Sequence, residues 1–190
     1  MKVIGLTGNI GCGKSTVAGL LRELGAVTVD ADALARQIRQ NDADARRQIE
    51  RRFGTIEAGE LAQIVFADLD ALHDLEAILH PLVRDAVRER LAELAESGAA
   101  AASVEAVKLL ESPLHDACDQ IWVVRCGEDA AIERLAATRG MDAAAIRSRL
   151  AAQSSEDEKA ARADVVIDNA GTLAETRRQV EAAYAALLSG

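Results

Sequence analysis

Apolar residues along this chain follow two rhythms. Short, nearly unbroken apolar runs lie at residues 3–6, 26–29, 102–107, 121–124 and 164–167. Between them, apolar positions recur three and four apart over residues 16–24, 33–40, 43–53, 60–66, 71–79, 81–96, 128–138, 142–161 and 172–188. The first rhythm predicts strands buried on both faces and the second predicts amphipathic helices. Together they predict an α/β chain in three α/β/α layers around a five-stranded parallel sheet. Punctuation supports the boundaries: Gly25 stops the first helix and Ser97-Gly98 ends the long helical stretch. Pro81 is expected to open the helix over 81–96, because a first-turn proline lacks only an N–H that would be unpaired anyway.

The second and third strands are separated by far more helix than a crossover connection needs. Residues 32–98 therefore read as a helical insertion that receives a substrate. The sheet-bearing core covers about 1–31, 99–127 and 163–190, and the arginine- and alanine-rich helices over about 128–162 read as a lid. One chain of 190 residues is long enough for a substantial core and reads as a single domain with these subdivisions.

The first strand runs into Gly8-Asn9-Ile10-Gly11-Cys12-Gly13-Lys14-Ser15-Thr16, which fits G-x-x-x-x-G-K-[ST]. Strand, glycine loop and helix follow in the order that a phosphate-binding loop requires. Glycines permit backbone turns that side chains forbid and let amide groups approach phosphate oxygens. The helix beginning at Lys14 adds its positive end. Lys14 supplies a compact charge for the β- and γ-phosphates, and Ser15 can ligate Mg²⁺. Nucleoside triphosphate binding is the expectation.

Composition narrows the partners. Hydrophobic residues make up 49% and charged residues 28%, the balance of an ordinary globular chain. A net charge of −9 argues against nucleic acid or an anionic membrane as partner, so an anionic ligand must meet locally concentrated positive charge. The three cysteines, Cys12, Cys118 and Cys126, show no C-x-x-C spacing. Neither zinc nor a disulfide is expected of them; Cys12 reads as filler at a variable loop position, and a reducing, cytoplasmic compartment fits. The first strand begins at once, leaving no room for a signal peptide, and no apolar run reaches the about 18 residues of a membrane span.

Asp30-Ala31-Asp32 follows the second strand, at the carboxyl edge of the sheet where such folds place their sites. A carboxylate there can accept the proton of an attacking hydroxyl or help to hold Mg²⁺, or it can cap a helix. Arg36, one turn past Asp32, reads either as a surface ion pair or as an anion clamp. Among the lid arginines, Arg134, Arg147 and Arg149 read first as solvated surface, with a phosphoryl-binding role as the alternative. Arg139, beside Gly140 at a helix end, is the best candidate for closing over a triphosphate.

The glycine loop, the D-A-D-x-L-A-R stretch from Asp30 to Arg36, and Leu79-His80-Pro81-Leu82-Val83 together resemble the dephospho-coenzyme A kinase family. Arg139-Gly140-Met141, Arg149 to Gln153, Lys159 and the stretch from Ala163 to Gly171 continue the resemblance over essentially the whole chain. It implies a P-loop kinase of the nucleoside-monophosphate-kinase type that transfers the ATP γ-phosphoryl group to the ribose 3′-hydroxyl of dephospho-coenzyme A. By position it implies Asp32 as general base, and Lys14 and Arg139 as stabilisers of the transferring group. Gly8 to Thr16, with Asn169 and Gly171, would bind ATP; Ser15 would hold Mg²⁺. Asp32, Arg36, His80, Leu110 and Glu111 would bind the acceptor, and His80 would order a helix start. A monomer or weak homo-oligomer is expected. One departure stands out: Lys108 occupies the place of a proline common in the family, just before Leu109-Leu110-Glu111. The alternatives are a kinase for another small molecule or nucleoside monophosphate, for which Arg46, Arg47, Arg51 and Arg52 could serve, and a nucleotide switch. The switch is disfavoured because the chain lacks N-K-x-D.

Overall fold

The computed structural model describes residues 1–189. Five strands form one parallel sheet in the order β2-β3-β1-β4-β5: β1 Lys2–Gly8, β2 Val27–Asp30, β3 Ala101–Glu105, β4 Gln120–Arg125 and β5 Val165–Asp168. Their registers are parallel throughout, for example Leu6↔Glu105, Gly8↔Val124 and Asp30↔Glu105. β1 lies at the centre and is buried from Val3 to Gly8, which is why its sequence is apolar without alternation. Strands β2 and β3 lie on one side of it and β4 and β5 on the other. The chain thus changes direction between β1 and β4, and ligands bind beyond the carboxyl ends of strands at such a switch.

Two helices cover one face of the sheet. α1 (Lys14–Glu23) contributes Val17, Leu20 and Leu21, and α9 (Leu173–Ser189) contributes Val180, Tyr184 and Leu187. They pack with Ile4, Leu6, Trp122, Val124 and Ile167 in one buried cluster. Trp122 is fully buried and its indole N–H donates to Gln120 Oε1 at 3.0 Å, so the large ring enters the core without an orphaned donor. Asp119 and Asp164 accept from the amides of Val3 and Ile121 at 2.6 and 2.7 Å, tying the loops before two strands to the sheet's amino edge.

The chain divides into two compact units, residues 1–30 with 91–190, and residues 31–90. The second unit is helical: α2 Ala31–Asn41, α3 Ala43–Phe53, α4 Ala58–Ala67 and most of α5 Leu69–Glu96. Asp42 caps α3 by accepting from Ala45 N at 2.7 Å, and Gly54 ends it at φ 72°. The first unit also holds α6 Glu128–Arg139, α7 Ala143–Ala151 and α8 Glu156–Ala160. No helix among the described residues is long and apolar enough to cross a membrane.

Two expectations fail here. Pro81 does not open a helix: α5 runs unbroken through it for 28 residues. Proline removes one N–H bond, but the leucine-, alanine- and arginine-rich flanks favour helix strongly enough to carry it across. His80 accordingly sits half-buried within that helix rather than ordering its start. The stretch 142–161 is also not one helix. α7 stops at Ala151, and Ser155 begins α8 with a capping box, its hydroxyl accepting from Glu158 N while Glu158 reaches back to Ser155 N.

Candidate active site

The loop between β1 and α1 is built for an anion. α1 begins at Lys14 with Gly13 as its N-cap at φ 84°, without a side-chain cap and without an acidic residue in its first turn. Its positive end is therefore not neutralised by the chain itself. Gly13 is obligatory on two counts: its φ is left-handed, and a Cβ there would collide with Asn169 Nδ2. At Gly8 a Cβ would run into the carbonyl oxygen of Val124 on the neighbouring strand. Ser15 and Thr16 are exposed, while Asn9 and Cys12 are buried in the loop's support.

That support comes from residues far away in sequence. Buried Asn169, directly after β5, donates from Nδ2 to the Cys12 carbonyl at 2.8 Å and accepts at Oδ1 from the Thr176 hydroxyl at 2.7 Å. Its side chain is thus committed to bracing the phosphate loop. Gly171 lies exposed in the turn leading to α9. Gln153 Oε1 accepts from Ile10 N at 3.1 Å, and the Ser154 carbonyl accepts from Asn9 Nδ2 at 3.2 Å, so the segment between α7 and α8 clasps the loop from the other side.

Charge gathers at the carboxyl ends of the central strands. Lys14 Nζ lies 3.7 Å from Glu105 Oε2 at the end of β3. Burial pushes the Glu105 carboxyl above its usual range and Asp30 adds to this, while Lys14 and Arg22 pull it down. Lys159 is almost completely buried, with Nζ 3.3 Å from the Val107 carbonyl. Burial lowers its pKa, nearby Glu111 and Glu156 oppose that, and Lys14 adds to it. The Thr7 hydroxyl donates to the same carbonyl at 3.0 Å. Glu105 and Lys159 were missed as site residues in sequence, Glu105 because it reads as part of a strand. The available signal was its position at a strand's carboxyl end, the same signal that picked out Asp32.

The lid arginines divide differently from the expectation. Arg134, read as surface, is half-buried; its Nη2 donates to the Asn169 carbonyl at 2.6 Å and its buried Nη1 has no partner. Asn9 Oδ1 is likewise buried without a partner. These two buried polar atoms, one in the phosphate loop and one on α6, lack the partner that buried polar groups ordinarily have. Arg139 is exposed at the end of α6, with Gly140 at φ 60° terminating the helix.

Of the expected acceptor residues, Glu111 accepts at Oε1 from the Ser154 hydroxyl at 2.6 Å. Leu110 is buried and its carbonyl accepts from Arg162 at 2.8 Å, so its side chain belongs to the core rather than to an open channel. Lys108 is exposed. In the helical unit, half-buried Asp32 occupies the first turn of α2, two residues past the end of β2, and exposed Arg36 follows one turn on.

Cys12 and Cys126 are joined by a disulfide, with Cα atoms 5.0 Å apart, contrary to the expectation for both. They are 114 residues apart in sequence and no local spacing announces the pair. The sheet brings them together: β1 pairs with β4, Gly8 opposite Val124, so the loops leaving the two strands start as neighbours.

The dephospho-CoA kinase family model matches residues 2–175. A dephospho-CoA kinase of Geobacter sulfurreducens is 43% identical, over 97% of this chain and 98% of its own length. A crystal structure of TT1252 from Thermus thermophilus is 34% identical with a TM-score of 0.87, covering 100% of this chain and 98% of that one. Dephospho-CoA kinase from Campylobacter jejuni is 25% identical with a TM-score of 0.64, again covering 100% and 98%. With its phosphate loop, sheet order and sequence matched from end to end, the chain belongs to the dephospho-CoA kinase family.

Proposed function

We propose that this chain transfers the γ-phosphoryl group of ATP to the ribose 3′-hydroxyl of dephospho-coenzyme A, giving coenzyme A and ADP. The observation that carries the reading is the uncapped, acid-free start of α1 behind a braced glycine loop, in a chain matched by the family over nearly its whole length. Backbone amides from Gly11 to Thr16 hold the phosphates, and Lys14 meets the β- and γ-oxygens. Arg139 closes over the transferring group, its permanent charge matching the phosphoryl oxygens.

Mg²⁺ fits the donors present. Ser15 offers a hydroxyl, Glu105 a carboxylate and Asp30 a second carboxylate beside it, all hard oxygens suited to this ion. When bound, Mg²⁺ would supply positive charge that offsets the negative phosphate oxygens. Ser15 and Glu105 would hold it, and Glu105, 3.7 Å from Lys14, offsets part of that residue's charge.

Asp32 accepts the proton of the 3′-hydroxyl as that oxygen attacks the γ-phosphorus. We assign acceptor binding to Asp32, Arg36 and His80, and also to Glu111. Residues 128–162 act as the lid. The protein works in the cytoplasm as a monomer or weak homo-oligomer on a small molecule, with neither nucleic acid nor membrane as partner. Purified protein with ATP and Mg²⁺ should turn over dephospho-coenzyme A far faster than AMP, CMP, UMP or shikimate. Comparable turnover of any of the others would contradict the assignment.

A further inference from the structure

One short segment, residues 153–162 from the end of α7 past α8, is bonded to two loops of the site. One is the phosphate loop: Gln153 Oε1 accepts from Ile10 N, and the Ser154 carbonyl accepts from Asn9 Nδ2. The other is the turn over 106–111, which follows β3 and Glu105 and ends at Glu111. There the Ser154 hydroxyl donates to Glu111 Oε1 at 2.6 Å, Lys159 Nζ donates to the Val107 carbonyl at 3.3 Å, and Arg162 Nη2 donates to the Leu110 carbonyl at 2.8 Å. Ser154 thus joins the phosphate loop through its carbonyl and the turn after β3 through its hydroxyl.

Lys159 is the costly member of this segment. It is 2% exposed, and an ammonium taken out of water destabilises a fold unless its partners compensate. An apolar side chain of similar length would fill the same slot without that cost. The ammonium instead meets the Val107 carbonyl, which the Thr7 hydroxyl of β1 also holds at 3.0 Å. Glu111 and Glu156 favour its charged form and Lys14 opposes it, so the group lies within electrostatic reach of the phosphate-loop lysine.

We propose that residues 153–162 fix the spacing between the phosphate loop and the turn after β3, with Lys159 as a positioning residue that keeps donor and acceptor aligned for transfer. The proposal deepens the proposed function and rests on it. Lys159 acts through the Val107 carbonyl, and so on the stretch of backbone that leads from Glu105 to Glu111. Transfer between two bound substrates tolerates little error: a misplacement of about 1 Å costs on the order of 100-fold in rate. A segment bonded to both loops limits that error.

Lys159→Met in the full chain keeps the stem and removes the ammonium. Its Tm should equal or exceed that of the wild type, because a buried charge is gone and Thr7 still holds Val107. Its kcat with dephospho-coenzyme A should nevertheless fall about tenfold or more, with the Kd for ATP within about twofold. Thr7→Val removes the other donor to the same carbonyl, so the double variant should lose more kcat than the product of the two single losses. Ser154→Ala, at a half-buried position where folding is not at stake, should raise the KM for dephospho-coenzyme A about fivefold, the loss of roughly one hydrogen bond. An unchanged kcat in Lys159→Met, a loss of kcat that comes with a lowered Tm, single losses that simply multiply, or an unchanged KM in Ser154→Ala would each overturn the inference. A wild-type chain that binds ATP and leaves dephospho-coenzyme A unphosphorylated would overturn the reading of the site itself, and the inference with it.

Discussion

Asn169→Ala tests whether the loop after β5 holds the phosphate cradle in shape. The wild-type amide is buried and donates to the Cys12 carbonyl at 2.8 Å. Alanine leaves that carbonyl without this donor, a loss of about 1–3 kcal/mol for a buried acceptor. The Thr176 hydroxyl does not add to the cost, since it already has a second acceptor in the Thr172 carbonyl at 3.3 Å. The bond from Arg134 to the Asn169 backbone carbonyl also survives. The net loss is about 2 kcal/mol, which for a chain of this size lowers Tm by roughly 4–8 °C. The cradle then samples other shapes, and we expect the Kd for ATP to rise about tenfold, or ~1.4 kcal/mol. Thermal melts with and without ATP, together with calorimetric titration, give both quantities. Thr176→Val, which spares the Asn169 to Cys12 bond but strips Asn169 Oδ1 of its donor, should lower Tm by a similar amount and raise the Kd for ATP less. A melt within about 1 °C of wild type and an unchanged Kd would refute the bracing role.

Other variants separate the remaining roles. Lys14→Ala should keep its melting temperature and lose phosphoryl transfer by a factor on the order of 10³, read as kcat in a coupled ADP assay. Asp32→Asn should leave the KM for ATP roughly unchanged while kcat falls about 100-fold or more; a collapse of ATP binding instead would make Asp32 a metal ligand. Gly13→Ala should impair ATP binding, because alanine resists the φ of 84° and its Cβ displaces Asn169, and titration calorimetry reads the change. Glu105 carries a pH signature. Its carboxyl titrates higher in the folded chain than in the unfolded one, so the folded state binds more protons and stability falls as pH rises from the ordinary carboxylate range through the raised value. Glu105→Gln should remove that slope, gaining Tm relative to wild type toward neutral pH while losing activity; parallel pH–Tm curves for the two proteins would contradict this.

The sheet and the phosphate loop were legible because their signals are local. Buried parallel strands are continuous apolar runs, and a phosphate loop must spell its glycines and lysine in sequence. What stayed hidden depends on strands meeting side by side. Cys12 met Cys126 only because β1 pairs with β4. Asn169 became a brace because β5 ends beside the loop, and Arg134 looked like surface until its α6 position put it over Asn169. Pro81 misled because local propensity gives proline a boundary role that a strongly helical neighbourhood overrode.

The most direct test of the central claim follows the phosphorus. Protein, Mg²⁺, dephospho-coenzyme A and ATP labelled in its γ-phosphate should yield a product carrying the label on the ribose 3′-oxygen, one equivalent per ADP formed. Label recovered as inorganic phosphate, or on any other oxygen of the acceptor, would contradict it.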